Sequence, residues 1–537
     1  MKPDTLFSIA LALPLTVAGL AASSDPAHAQ SARLETLVVA NEFGPNMLDI
    51  HGLGANRPAY GVSWNAYDRL LTYGRKTLPD GVTSYDFTKL EPELAERWEV
   101  ADDGMSVTFH LRRDATFHDG TPVKAADVKW SFERALGMGG FPTFQMKAGS
   151  IESPEQFEVV DDHTFRLKLL RQDKMTLPNL AVPVAAIYNS TLAKQHATAD
   201  DPWAANWLKT NTAGGGAYQV ASWKPGQEIV YERFEDWKNG PPPKLKRVIQ
   251  RDVPSAGNRR ALLARGDIDI TYELPPKDFA EMAREKGNVK VVSVPIENAM
   301  WYLGLNTKTP PLDNMKVRQA IAYVLPYDKI MANAFYGRGN PLFGGTGVTD
   351  AAWPQPTPYA TNVEKARELM KAAGLEQGFE TTLSFDLGTA TVSEPTVILM
   401  QEALGSIGIK ATINKVPGSN WRAAITQKDL PMLFNRMGGW LNYPEYFFFW
   451  AYHGQNAVFN TMSYQNPDLD QLVEAARFET DPQQYAEQVR QFIDLAYTEV
   501  PRIPVVQPTM DVAMQKNVQG FTYWFHLQPD YRQLYKQ

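Results

Sequence analysis

The residues richest in chemistry lie at 432–450, MLFNRMGGWLNYPEYFFFW. Met432-Leu433-Phe434 has the apolar run of a strand. Gly438-Gly439 lets the backbone pass close to a bulky neighbour. Trp440, Tyr443, Tyr446, Phe447, Phe448, Phe449 and Trp450 then crowd together. Aromatic planes suit peptide side chains, sugar faces and aromatic rings alike. Phe447, Phe448 and Phe449 are expected to form core beneath a cleft. Arg436 has the fork geometry to clamp a carboxylate. Strict alternation along the strand would turn it away from a cleft if Met437 points in. Asn442 can hydrogen-bond an amine, hydroxyl or carbonyl but cannot neutralise a charge. Glu445 carries the nearest carboxylate.

Catalytic patterns are missing from the chain. It holds no Gly-x-Ser-x-Gly elbow and no His-Glu-x-x-His. It holds no Walker loop and no Gly-x-Gly-x-x-Gly. Its eight histidines are scattered. His118-Asp119 are adjacent in a tight turn, where side chains rarely meet. The run Gly214-Gly215-Gly216 lacks the Lys-Ser/Thr and helix of a phosphate loop. We therefore assign no catalytic residue, no metal site and no cofactor, and expect a binding protein. A secreted hydrolase is the alternative from another class, and a chaperone-like or sensory partner protein is a third.

Composition narrows the setting. The formal charge is −7, which does not suit a nucleic-acid or polybasic membrane partner. The chain has no cysteine, which excludes disulfides, thiolate metal sites and a lipidated cysteine. Residues 1–29 read as a cleaved signal peptide: Lys2, then a mostly apolar 6–22, then Ala27-His28-Ala29 as a small-x-small cleavage site. A secreted chain without an anchor implies a periplasmic location. At roughly 150 residues per domain the length allows about three or four domains.

Those motifs need elements to position them. Along residues 90–136, Trp98-Glu99-Val100 is a short strand and Ala101-Asp102-Asp103-Gly104 a turn. Ser106 to Leu111 alternates polar and apolar as a half-buried strand does. Asp119-Gly120 turns the chain; Thr121 can cap and Pro122 open a helix whose apolar face is Val128, Phe132 and Ala135. Further strands are expected at Leu37-Val38-Val39-Ala40, 157–169 (a hairpin), 219–223, 268–270, 302–306, 381–385, 409–416 and 505–507. Helices are expected at 259–264, 313–325, 363–374, 396–407, 467–477 and 482–500. The strand-helix-strand order implies a mixed α/β lobe with parallel pairing.

The stretch 90–136 also resembles the signature of bacterial extracellular solute-binding proteins of family 5, the peptide- and nickel-type receptors of ABC importers. The residues that carry it are Leu94-Ala95-Glu96-Arg97-Trp98, 103–112 (DGMSVTFHLR), 117–123 (FHDGTPV) and Ala126-Asp127-Val128. The glycine run before Tyr218 and the Gly266-Asp267-Ile268-Asp269 turn extend it across the chain. The resemblance implies an α/β, two-lobed periplasmic binding protein fold of the cluster C type, with mixed sheets, an extra subdomain in the first lobe and a hinged ligand cleft. It places lobe I at 30–298 with an inserted subdomain at about 60–200. Lobe II follows at 299–502, and a return segment to lobe I at 503–537.

The resemblance also nominates ligand-binding residues. Phe43 and Gly44 sit where relatives present backbone and one side chain from the first lobe, and peptide-binding relatives line the pocket with a Trp-x-x-Asp-Tyr segment whose Asp pairs with a peptide α-ammonium. Here that segment reads Trp440-Leu441-Asn442-Tyr443, one residue shorter, with Asn442 in place of the Asp. Glu445 is a possible substitute. Trp421 stands at the spacing of a pocket tryptophan, and Trp301 at the expected lobe crossing. With Arg436 and Met437 these complete the candidate set.

The function so implied is a periplasmic receptor that closes on a peptide or related small solute and delivers it to an inner-membrane ABC permease with its ATPase. The receptor is expected to be a monomer. Oligosaccharide, opine-like and metal-chelate ligands remain alternatives on the same fold.

Overall fold

The computed structural model describes residues 33–456 and 459–537. The expected signal segment lies outside the described residues. The first sheet has seven strands, in the order Val289–Pro295, Thr509–Gln515, Ile270–Tyr272, Thr36–Asn41, Arg247–Asp252, Glu228–Arg233, Tyr218–Lys224. Thr36–Asn41 runs parallel to both of its neighbours. Its apolar run Leu37, Val39 and Ala40 is fully buried, as a central parallel strand requires. Three parallel strands therefore end at one edge, at Asn41, Asp252 and Tyr272.

The second sheet has six strands, in the order Asn340–Pro341, Arg502–Gln507, Ala299–Leu305, Met432–Gly438, Phe379–Asp386, Ile409–Val416. Phe379–Asp386 and Ile409–Val416 pair in parallel as expected, with Phe379 opposite Ile409, and the helix Ala390–Gly405 joins the two strands. That helix starts ahead of the expected Thr396. Pro395 lies within its first turns and leaves only one intrahelical bond unmade there. The sheet carries a hydrophobic core on each face. One is built on Leu303, Ile321 and Phe385, the other on Met300, Leu433, Phe448 and Phe492.

The chain crosses between the sheets twice. The first crossing spans residues 296–298, next to the expected boundary. The second is at Pro508, later than the expected 502/503 boundary. Arg502–Gln507 pairs antiparallel with Ala299–Leu305, so this strand stays in the second sheet.

A four-stranded antiparallel sheet is inserted into the first lobe, in the order Ala95–Val100, Ser106–Leu111, Thr164–Lys168, Phe157–Asp161. The helix Ala125–Gly137 lays Val128, Phe132 and Ala135 on it, all fully buried. Thr121 and Pro122 do not start this helix. Thr121 Oγ1 instead donates to Asp119 (2.6 Å), and the Asp127 carboxylate accepts from the Lys124 backbone N–H (2.9 Å). The glycine run is structural: a side chain on Gly214 or Gly216 would run into the backbone around Ala66, where the helix Arg57–Ala66 ends.

Two buried ionic clusters tie these parts together. Arg134 Nη2 meets Asp49 Oδ2 at 2.6 Å, and Tyr188 Oη donates to Asp49 at 2.9 Å. Glu93 Oε1 accepts from Arg69 and from Arg532, each at 2.7 Å, and so pins the C-terminal segment to the first lobe. Arg532 also pairs with Asp530 at 2.7 Å.

Acid should loosen this lobe. Burial pushes His51 and His118 down to about 4 from the ordinary 6.5, and each ring faces a backbone carbonyl, Val184 O or Gly216 O. A base with a depressed folded pKa is protonated first in the unfolded chain. Its stabilisation is therefore intact above about 6.5 and lost as pH falls towards 4. Each histidine contributes on the order of 3 kcal/mol at most. The melting temperature should fall steadily from pH 6.5 to 4, and replacing His118 with Asn should flatten that slope.

Candidate functional site

The C-terminal ends of parallel strands are where open α/β sheets present ligands. Here Asp252 closes one such strand, and Glu42 and Glu273 directly follow two others. Glu273 takes a left-handed backbone conformation (φ 65°), which a residue without glycine's freedom adopts only when its surroundings enforce it. Its carboxylate is exposed, yet desolvation raises its pKa, as expected inside a crowded concavity; Arg57 is the strongest opposing charge. Asp252 is half-buried, and burial raises its carboxyl too. Gly44 presses on it: a Cβ there would sit 2.6 Å from Asp252 Oδ1. The Gly44 carbonyl accepts from Asn56 Nδ2 at 2.9 Å, which brings the start of the helix Arg57–Ala66 to the same place. Phe43, beside it, is 48% exposed.

From the second lobe, Met432–Gly438 reaches this space at its C-terminal end. Alternation decides its residues. Met437 turns into the core with Met300 and Leu433, and Arg502 Nη1 lies 3.4 Å from its sulfur. Arg436 takes the opposite face. Its guanidinium lies 5.8 Å from the Trp301 ring, half-buried, with no hydrogen bond or ion pair among the described residues. Desolvation first, and then the positive charge of Arg57, hold its pKa down to about 9; Glu273 opposes this. The charges acting on the Arg436 guanidinium thus come from the other lobe, one of the same sign and one opposite.

Trp440 forms the aromatic wall. Its ring stands edge-on to Tyr60 (5.0 Å) and to Phe141 (4.9 Å), both from the first lobe. Phe141 is 37% exposed, so this cluster is open on one side. The fields of Arg57 and Arg422 both reach the Tyr60 hydroxyl. Asn442 is half-buried and has no hydrogen-bond partner among the described residues.

The other expected residues lie elsewhere. Trp301 is core, stacked on Phe434 (5.2 Å, 15°), and only supports Arg436. Trp421 is buried on the far face of the second sheet, in the same core as Leu433 and Phe447. Glu445 is buried and already paired: Lys174 Nζ lies 2.9 Å from Oε1, and Tyr485 Oη donates to Oε2 at 2.9 Å. It cannot stand in for an aspartate at Asn442. Phe447 and Phe448 are core as expected, whereas Phe449 is half-buried and lines a separate cavity of about 330 Å³ with Met175 and Phe478.

The reading of the sequence missed Arg57, Tyr60, Phe141, Asp252 and Glu273. A charged residue placed immediately after the short strand Ile270–Tyr272 was the available signal for Glu273; Asp252 closes a strand, RVIQRD, that is mostly polar and gave none. Nothing local distinguishes Arg57, Tyr60 or Phe141, which reach the cleft only through tertiary packing.

Beside the cleft the lobes touch directly. Arg477 Nη2 bonds Asp173 (2.6 Å) and the Ala148 carbonyl (2.7 Å). Lys174 Nζ donates to Ala476 O at 2.6 Å, and Tyr446 Oη to Gln145 at 2.9 Å.

Known proteins share this architecture. Over residues 89–459 the chain matches the family described as bacterial extracellular solute-binding proteins, family 5. It is 28% identical to the probable D,D-dipeptide-binding periplasmic protein DdpA of Escherichia coli (strain K12), over 95% of this chain and 96% of that protein. It is 29% identical to the glutathione-binding protein GsiB of Salmonella choleraesuis (strain SC-B67), over 85% of this chain and 88% of that protein. The binding protein AgaA of A. tumefacien R10, solved in complex with agropinic acid, has a TM-score of 0.76 to it at 27% identity, covering 94% of this chain and 99% of that one.

Proposed function

The chain belongs to the bacterial extracellular solute-binding proteins of family 5, and from that premise we propose that it is the receptor of an ABC importer, closing two lobes on a peptide or related small solute. It would hand the solute to an inner-membrane permease driven by its ATPase. The observation that carries this reading is Arg436. A half-buried guanidinium with no partner is costly to desolvate unless a ligand completes it. The aromatic wall of Tyr60, Phe141 and Trp440 beside it gives the solute an apolar face to bury. DdpA and GsiB, named for a dipeptide and for glutathione, support the peptide class.

An opine-like acid is the second reading. Asn442 cannot neutralise an α-ammonium, and AgaA, of comparable identity, is solved with agropinic acid. In both readings the receptor works in the periplasm as a monomer. The signal segment is removed after Ala29 and no lipid anchor is added. Among the described residues no helix is long and apolar enough to cross a membrane.

The test is closure. Protein unfolded, dialysed and refolded should lose radius of gyration in X-ray scattering, and change tryptophan emission, when a cognate solute is added. A binding solute that leaves both unchanged would contradict a hinged receptor. The direct lobe contacts should tune that equilibrium. Arg477→Ala removes the bond to Asp173 without touching the cleft. It should raise Kd about 3- to 10-fold, through faster dissociation, as stopped-flow fluorescence would measure.

A further inference from the structure

We propose that the separate cavity of about 330 Å³ is a second binding site, for an organic ammonium ion with an aromatic body, and that its occupant bridges the two lobes. Arg436, Trp440 and Asn442 do not line it, so the site goes beyond the receptor reading. Its walls come from both lobes. Ala148, Arg171 and Met175 belong to the first. From the second, the helix Pro467–Phe478 turns Val473, Glu474, Arg477 and Phe478 towards it, the spacing of one helix face. The helix Pro444–Ala451 adds Glu445, Tyr446 and Phe449. A space of this size accepts one or two fused rings, since a single benzene ring fills a cavity of roughly 150 Å³. A molecule that touches both walls favours the closed arrangement of the lobes.

Charge selects the occupant. Four charged side chains line the cavity. Arg171 pairs with Glu152, Arg477 with Asp173 (2.6 Å) and Glu445 with Lys174 (2.9 Å). Glu474 is left over. Among the described residues it meets no lysine or arginine, only the His453 ring, with Nε2 3.1 Å from Oε1. Nδ1 of that ring accepts the Gln455 backbone N–H at 3.2 Å, so Nε2 carries the proton and a neutral imidazole donates to Glu474. The Glu474 side chain is 60% exposed, and Phe478, one turn on, is 42% exposed, so both stand at the mouth. They lie in the last turns of their helix, where the dipole favours a cation. The Arg171 and Arg477 guanidinium groups lie 5.7 and 5.3 Å from the Phe478 ring and hold it in place. Tyr446 and Phe449 give ring surface for an aromatic body and its ammonium.

Three probes share one indole body and differ in charge: tryptamine, tryptophol and indole-3-propionate. Each is titrated into refolded protein by calorimetry, and X-ray scattering follows the radius of gyration. Tryptamine should bind about 10-fold or more tighter than indole-3-propionate, with tryptophol between them. Its binding should lower the radius of gyration. In Glu474→Gln the preference for tryptamine should shrink to under about 3-fold. Glutamine still accepts from His453 at this exposed position, so the variant should fold as the parent does. Phe478→Ala should weaken all three probes alike, by about 3- to 10-fold. Absence of tryptamine binding, a preference for indole-3-propionate, or a tryptamine preference that survives in Glu474→Gln overturns the inference. Binding without compaction overturns the bridge between the lobes. None of these outcomes touches the receptor reading, which is tested at the cleft.

Discussion

Replacing Arg436 with Met abolishes solute capture without weakening the fold. The expected loss of affinity is about 30- to 1,000-fold, the range for removing one partner of a buried, hydrogen-bonded charge pair. The ligand-free protein should melt no lower, and by about 1–3 °C higher. The two effects share one cause. Arg436 is half-buried beside Trp301 with no ion pair among the described residues, and its pKa is held down to about 9. A guanidinium is charged in both states at neutral pH, so the folded state bears the desolvation. Methionine removes it and still covers the Trp301 ring. Calorimetry for binding and scanning calorimetry for melting decide the matter. A variant that binds normally, or one that unfolds several degrees lower, would show Arg436 to be a structural residue.

Replacing Glu93 with Ala should have the largest effect on stability, about 3–5 kcal/mol. Glu93 is buried and accepts from the Arg69 side chain (2.7 Å), the Arg69 backbone N–H (3.0 Å) and Arg532 (2.7 Å). Without it Arg69 is a fully buried guanidinium with no carboxylate in contact, held only over the Trp64 ring at 3.9 Å. Asp68 beside it cannot compensate fully. Burial first, and then Glu93, raise its carboxyl to about 7. The damage should be felt where Arg532 anchors the C-terminal segment. Urea unfolding should show the loss, and limited proteolysis should release residues near the C-terminus first. Unchanged unfolding would mean that water replaces Glu93 at no penalty.

Much of the scaffold was legible. Local alternation marked Ser106–Leu111 correctly because one face of that strand is buried and the other is not. Val317, Ala320, Ile321 and Val324 marked their helix because its single apolar stripe packs into one core. The errors came where local signals competed. Thr121-Pro122 has the chemistry of a helix start, but the Asp119 turn claims Thr121 and leaves the cap to Asp127. The cleft was less legible. Trp440 and Arg436 were read from their stretch, yet their partners come from residues far away in sequence, Tyr60, Phe141 and Arg57. Glu445 looked available because no periodicity reveals Lys174, which neutralises it. Trp421 and Trp301 show the general difficulty: a tryptophan's spacing says nothing about which face of a sheet it will fill.

The most direct test of the account is native mass spectrometry of the protein isolated from a periplasm, repeated after unfolding and refolding. The account predicts an added mass in the first spectrum that is absent from the second. A protein that is empty in both spectra, and that stays open in scattering with every probe, would contradict a solute-binding cleft altogether.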